Sequence, residues 1–330
     1  MRPEWSKLPS GSLLQIVSSR THKLNTMTQG IQYQPSGEHR RNSVQGYHSS
    51  PSPNHLGKGA KSSDISTLKS AEKRNLIDLG NGDYDSRFTI GFEIEKTRFH
   101  RGAVRHSSLF AGFERDSSCG YEAITHILPL LPSGVWRNKV FSMMFEAKRI
   151  IEDSYSPSDL RCGGHITLAV QGMDADELIP RLKKFSGVMY ALFRKRLGNS
   201  YCNGNWAMEC SGSGRYQVCL NKGDRVEFRL PSRVQSVKQL MRRYELCYTM
   251  LDFAVNRPNA SFKTFLKAVK PIVKSMYDGD EGKVTMIETL SLAFNKALRS
   301  GQMNRECVQW LDERRTHENE YDRDLQRSGW

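Results

Sequence analysis

Phe88-Thr89-Ile90-Gly91-Phe92-Glu93-Ile94-Glu95 alternates without a break, with apolar residues on even positions and both glutamates on odd ones. A strand sends successive side chains to opposite faces, so this stretch predicts a strand with one core face and one exposed, charged face. Two later stretches repeat the pattern. In Gly164-His165-Ile166-Thr167-Leu168-Ala169-Val170, His165 lies opposite the Ile/Leu/Val face. In Arg225-Val226-Glu227-Phe228-Arg229-Leu230, Glu227 and Arg229 lie opposite Val226, Phe228 and Leu230. Carboxylates, an imidazole and a guanidinium gathered on one sheet face suit a metal–phosphate site. These strands set the expectation of a nucleotide-using enzyme.

The segments around them define the fold class. Phe113 to Arg115 and Tyr121 to Leu128 read as a hairpin around Asp116-Ser117-Ser118-Cys119-Gly120, whose Asp, Ser and Gly are turn formers. A second hairpin joins Arg215–Leu220 to Arg225–Leu230 across Asn221-Lys222-Gly223-Asp224. Between the hairpins, helical spacing covers Arg137 to Asp153, and a second helix runs from the N-cap Asp174 to near Arg196. After Ser236 the pattern is helical, with Val237, Leu240, Met241, Tyr244, Cys247 and Leu251 on one stripe. Further helices fit Ser261 to Met276, Val284 to Leu298 and Met303 to Arg315. Hairpins imply an antiparallel sheet, so the expected class is α+β: a sheet-rich part over 86–235 and a helical part over 236–318.

Residues 1–85 are rich in Ser, Gly, Gln, Asn, His and Pro, and are expected to form a disordered leader. The net charge of +14 favours polyanionic partners, but the excess is scattered, with local concentrations at Lys183-Lys184, Arg194-Lys195-Arg196 and Arg242-Arg243. Seven cysteines, all at or after Cys119 and without a CxxC pair, argue against a disulfide scaffold. Cys202, Cys210 and Cys219 match no common zinc spacing. No stretch approaches the length of a membrane span or of a secretory core, so a cytoplasmic protein with no membrane partner is expected.

Taken singly, each charged position has an ordinary explanation. Two glutamates can face water on an edge strand, a strand histidine can be a packed residue, and Glu227 with Arg229 can be a plain ion pair. Their combination on three clean alternations carries more weight. Glu93 and Glu95 lie side by side, which is costly unless a cation sits between them, and Mg2+ takes oxygen ligands.

The order of motifs resembles the amidoligase family, which is distantly similar to glutamine synthetase and glutamate–cysteine ligase. The resemblance rests on Gly91-Phe92-Glu93-Ile94-Glu95, Asp116-Ser117-Ser118 with Gly120-Tyr121-Glu122-Ala123-Ile124-Thr125, Cys162-Gly163-Gly164-His165-Ile166, Arg196-Leu197-Gly198-Asn199-Ser200-Tyr201-Cys202 and Val226-Glu227-Phe228-Arg229-Leu230. It spans roughly residues 88 to 235 and leaves out the leader.

The resemblance implies a curved antiparallel sheet with helices on one face, as in glutamine synthetase, and Mg·ATP on the concave face. It implies an ATP-dependent ligase that joins a carboxylate to an amine acceptor through an acyl phosphate. Glu93, Glu95, Glu122 and Glu227 would be Mg2+ ligands, and His165 a ligand or phosphate donor. Arg229 would contact phosphate. Arg196, Asn199 and Tyr201 would border the nucleotide or substrate, with Arg196 also serving catalysis. Alternation alone does not settle whether Glu122 points inward, since Ile124 shares its face. A competing reading is a basic nucleic-acid- or virion-associated binding protein with a degenerate ligase-like fold. A third is an amine or guanidine kinase on the same scaffold. The substrates and the oligomeric state are not legible in the sequence.

Overall fold

Phe88–Lys96 forms β1, the strand around which the sheet is laid. The computed structural model describes residues 88–303 apart from 99–106, 108, 117–118, 126–127, 154–161, 171–172, 198–200, 203–207, 209–215 and 224. The expected leader, Asn199 and the helix expected after residue 303 lie outside the described residues.

The remaining strands are β2 (Phe110–Asp116), β3 (Gly120–Thr125), β4 (Leu128–Pro129), β5 (Ile166–Val170), β6 (Cys219–Asn221) and β7 (Val226–Phe228). Six of them lie in the order β2-β3-β1-β5-β7-β6, and the two-residue β4 pairs with β1. Every strand pair among the described residues is antiparallel, and the sheet is open. Both expected hairpins are present. Asp116 pairs with Gly120 at the first turn, and the Lys222 amide donates to the Arg225 carbonyl at the second.

The helices are α1 (Gly134–Glu146), α2 (Lys148–Glu152), α3 (Ala175–Lys183), α4 (Gly187–Leu192), α5 (Val237–Leu251), α6 (Phe262–Met276) and α7 (Glu281–Ser300). Their starts follow local chemistry. Asp174 caps α3 by accepting from the Glu177 amide at 2.9 Å. Ser236 caps α5 in a full capping box with Gln239. Ser261 and Asp280 cap α6 and α7.

Two expected helices are interrupted. The first begins at Gly134 and breaks at Ala147. The second, expected to run from Asp174 to near Arg196, ends at Lys183, resumes as α4 and finishes in a 3-10 turn at Arg194–Arg196. At the latter break the Phe185 amide reaches back to the Leu182 carbonyl, three residues behind, which tightens the chain. The offset lets α4 meet α7 through Gly187.

The even face of β1 lies in the main core. Phe88, Ile90, Phe92 and Ile94 join Ile166, Leu168 and Val170 of β5 and Val226 and Phe228 of β7. Helix α5 closes this layer. Tyr244 on α5 donates to the Pro129 carbonyl at 2.7 Å and accepts from the Leu131 amide at 2.8 Å, which ties the helix to the β4 edge. Phe185, Phe253 and Phe265 stack mutually at 5.1–5.7 Å and link α3's end to α6. No described helix is long and apolar enough to cross a membrane.

Gly187 is where two opposing effects can be weighed. Alanine in a helix ordinarily gains about 1 kcal/mol over glycine. Here a Cβ would stand 2.5 Å from the Ser291 carbonyl and 2.8 Å from Asn295 Cβ, both on α7. Steric overlap with backbone outweighs propensity. Gly187→Ala is expected to lose about 1–3 kcal/mol of stability in urea denaturation. An unchanged or raised midpoint would show that α4 and α7 are not in such close register.

Candidate functional site

The register of the sheet lines up the odd face. β1 pairs with β5 so that Gly91 faces Thr167, and β5 with β7 so that Thr167 faces Glu227. One step along, the Glu93 amide donates to the His165 carbonyl at 3.1 Å. On the other side of β1, Glu95 faces Glu122. Directly opposed residues of an antiparallel pair share a face. Glu122 therefore belongs to the same face as Glu93 and Glu95, which resolves the direction that alternation left open. Ile124, opposite Glu93, shares that face and stands outside the main apolar cluster.

The expectation of an exposed charged face is corrected. Glu93, Glu95, Glu122, His165 and Glu227 are all buried, each at 7% exposure or less. The Gly163 amide, the Arg196 guanidinium and the Tyr201 carbonyl, all from segments outside the sheet, reach this face. An alternating pattern specifies which side a residue points to, not whether later segments roof it over.

Within this enclosure, His165 Nδ1 lies 2.8 Å from Glu93 Oε2, and His165 Nε2 lies 3.4 Å from Glu95 Oε1. One ring thus bridges both carboxylates. Glu95 is held from its other oxygen by the Gly163 amide at 2.5 Å. Glu93, His165 and Glu227 bring one potential ligand atom each to within 4.8 Å of one another. Two carboxylates and an imidazole so placed fit a divalent cation. Thr167, between Gly91 and Glu227, has a buried hydroxyl with no hydrogen-bond partner among the described residues. A polar atom left so inside a charged enclosure fits a site that takes a polar ligand.

Glu227 is flanked by cations. Arg229 Nη1 donates to its Oε1 at 2.8 Å, and Lys222 Nζ lies 2.8 Å from its Oε2. Burial and neighbouring Glu93 push the Glu227 carboxyl up, but Lys222, Arg229 and His165 together hold it below its usual range. Burial works against the Arg229 charge, yet Glu227, Glu93 and Glu95 hold its pKa above the ordinary value. Both groups therefore stay ionised.

Arg196 is buried and donates from Nη1 to the Cys162 carbonyl at 3.0 Å. A Cβ on Gly163 would stand 2.8 Å from His165 Nε2 and 3.1 Å from Arg196 Nη2, so only glycine lets the ring and the guanidinium close on this turn. Tyr201 meets Arg229 through its backbone, accepting from Nε at 3.4 Å, and its ring packs edge-on to Tyr216. Asn199 lies outside the described residues. Cys202 donates to the Arg196 carbonyl at 2.8 Å and burial pushes its thiol up, so it is a structural donor and no nucleophile.

The structure adds residues the sequence reading left out. Thr167 was visible in principle, as it shares the His165 alternation. Lys222 was not, because a turn has no face periodicity. Lys96 closes β1 on the even face. It is almost wholly buried, near Cys162, Glu152, Arg233 and Arg243.

No protein-family model matches the chain, and no curated protein matches it.

Lys96 gives a pH test of this arrangement. Burial, opposed by Cys162 and Glu152 and reinforced by Arg233 and Arg243, brings its ammonium down to about 8. An unfolded lysine keeps its proton up to the ordinary 10.5. Between those values the unfolded chain binds more protons, so this residue makes stability rise with pH from about 8 to about 10.5. Cys162, raised from 9.0 to about 11, acts in the opposite sense over an overlapping window. The difference between wild type and Lys96→Met isolates the lysine. It should shift in favour of wild type by about 3 kcal/mol across that window in urea denaturation. A flat difference would mean that Lys96 reaches water.

Proposed function

We propose that this protein is an ATP- and Mg2+-dependent carboxylate–amine ligase of the amidoligase type. The observation that carries the reading is the convergence of Glu93 on β1, His165 at the entry to β5 and Glu227 on β7, with Arg229 beside them on the same enclosed face. Phosphoryl transfer needs charge neutralisation and positioning more than a protein nucleophile. The site offers both. Its carboxylates suit a metal, its guanidinium suits phosphate oxygens, and its thiol at Cys202 is engaged elsewhere.

Mg2+, when bound, would neutralise the phosphate oxygens of the nucleotide. Glu93, Glu227 and His165 would hold it, with Glu95 and Glu122 in the same acidic face. Arg229 is oriented by Glu227 and by the Tyr201 carbonyl, so its free edge is preset for an anion. Arg196 is anchored on the turn that carries Gly163 and supplies positive charge near His165. In the proposed reaction the γ-phosphoryl group passes to a substrate carboxylate, an amine attacks the acyl carbon, and inorganic phosphate leaves. Burial of the face keeps water from competing with the amine.

The nucleic-acid reading loses part of its footing. Arg194, Arg196 and Arg243, which supply much of the basic concentrations seen in the sequence, are buried. Arg243 spends its donors on the Ser232 carbonyl and hydroxyl at 2.8 and 3.1 Å. Such residues count towards net charge without forming a reading surface.

Calorimetric titration of Mg·ATP into the chain, beside a Glu93→Gln/Glu227→Gln variant with intact circular dichroism, tests the proposal. Binding should require Mg2+ and vanish in the variant. ADP release should then need both an acid and an amine, with amide and inorganic phosphate as products. A well-folded wild type that does not bind Mg·ATP sinks the reading, and a stable phosphorylated amine would replace it with a kinase.

A further inference from the structure

Glu227 is buried, and its two oxygens are taken by cations of different exposure. Arg229 is 13% exposed and has a second anchor at the Tyr201 carbonyl. Lys222 is 26% exposed and meets Oε2 from the β6–β7 turn. Three hydrogen bonds hold the described part of that turn. The Lys222 amide donates to Arg225, Asn221 Oδ1 accepts from the Gly223 amide at 2.8 Å, and Asn221 Nδ2 donates to Asp176 at 2.7 Å. A Cβ on Gly223 would meet nothing within 4 Å among the described residues. None of these turn contacts uses the Lys222 side chain, which holds Glu227 from the more exposed of the two cation positions.

An ammonium and a divalent cation on the same carboxylate repel each other strongly in a buried setting. The enclosure sets three cations, Arg229, Lys222 and Arg196, against its four carboxylates, one positive charge short. A bare divalent ion would overshoot that shortfall, whereas an ion that arrives with a polyphosphate would not. Resting on the metal reading of this face, we propose that Lys222 competes with the divalent cation for Glu227. On loading, its ammonium passes to the anionic group that accompanies the cation. The site then takes metal and polyphosphate together, and Lys222 is a further phosphate-contacting residue.

Mn2+ serves as the probe, measured by equilibrium dialysis with the full chain, its Lys222→Met variant and a Lys238→Met control. Lys238 pairs with Asp278 at the surface, so its loss changes net charge equally without touching the site. Lys222→Met should bind Mn2+ about tenfold more tightly than wild type, and Lys238→Met should match wild type. Acetylation of Lys222, read by peptide mass spectrometry, should rise with Mn2+ alone and fall again when inorganic tripolyphosphate is added. Equal Mn2+ affinity in wild type and Lys222→Met, with unchanged labelling, overturns the role of Lys222. If that binding is still lost in Glu93→Gln/Glu227→Gln, the metal reading survives the failure. No Mn2+ binding by any form, with or without inorganic tripolyphosphate, removes both.

Discussion

Several carboxylates enclosed on one sheet face would unfold a domain if they stood alone, because each buried charge carries a desolvation cost of several kcal/mol. The structure meets this constraint by enclosing cations and a hydrogen-bonding ring with the acids. Arg229 and Lys222 take the two oxygens of Glu227, and His165 spans Glu93 and Glu95. The network keeps Glu227 and Arg229 ionised rather than neutral. A face assembled this way is expensive as a structural element, since apolar residues of similar volume would stabilise as well or better. Its presence is the strongest physical reason to look for a ligand there.

The same strand that carries the acids also organises the core. β1 gives its even side to Phe88, Ile90, Phe92 and Ile94, and its odd side to Glu93 and Glu95. A slip of one residue in its pairing would put glutamates into the apolar layer and phenylalanines among the charges. Core packing and site geometry are thus enforced by a single register. Gly163 and Gly164 serve both as well. Gly163 admits His165 and Arg196, while a Cβ on Gly164 would stand 2.4 Å from the Ser232 carbonyl and 2.6 Å from Arg243 Nη1. Ser232 lies between β7 and α5 and Arg243 lies on α5, so the turn is gripped from both directions.

Much of this was legible in the sequence because strand alternation is a local signal. It named Glu93, Glu95, His165, Glu227 and Arg229 and assigned each a face, and the hairpin turns fixed the antiparallel class. Glu122 needed the cross-strand partner Glu95, which no local pattern supplies. Helix interruptions at Ala147 and at Lys184–Ser186 were missed, because the apolar spacing runs through them while tertiary approach at Gly187 imposes the offset. Burial of the acidic face was misread for a related reason. The roof comes from segments distant in sequence, whose residues carry no periodic mark. Lys222 escaped notice because a turn lysine looks like any other solvated charge until its partner is known.

The pairing of Glu93 with His165 spans 72 residues, and β7 joins only after a further long excursion of the chain. Closing such loops costs entropy before any contact returns it, so strand association of this kind is slow. The hairpin β2–β3, by contrast, closes over a few residues. Loop closure thus favours assembly from local hairpins and helices towards the β1–β5–β7 seam, with the acidic enclosure completed only when that seam closes. During synthesis the acids of β1 emerge long before their partner His165 and before Lys222 and Arg229, which flank β7. Until then those glutamates stay in water, where their charge costs nothing and keeps the nascent strand soluble.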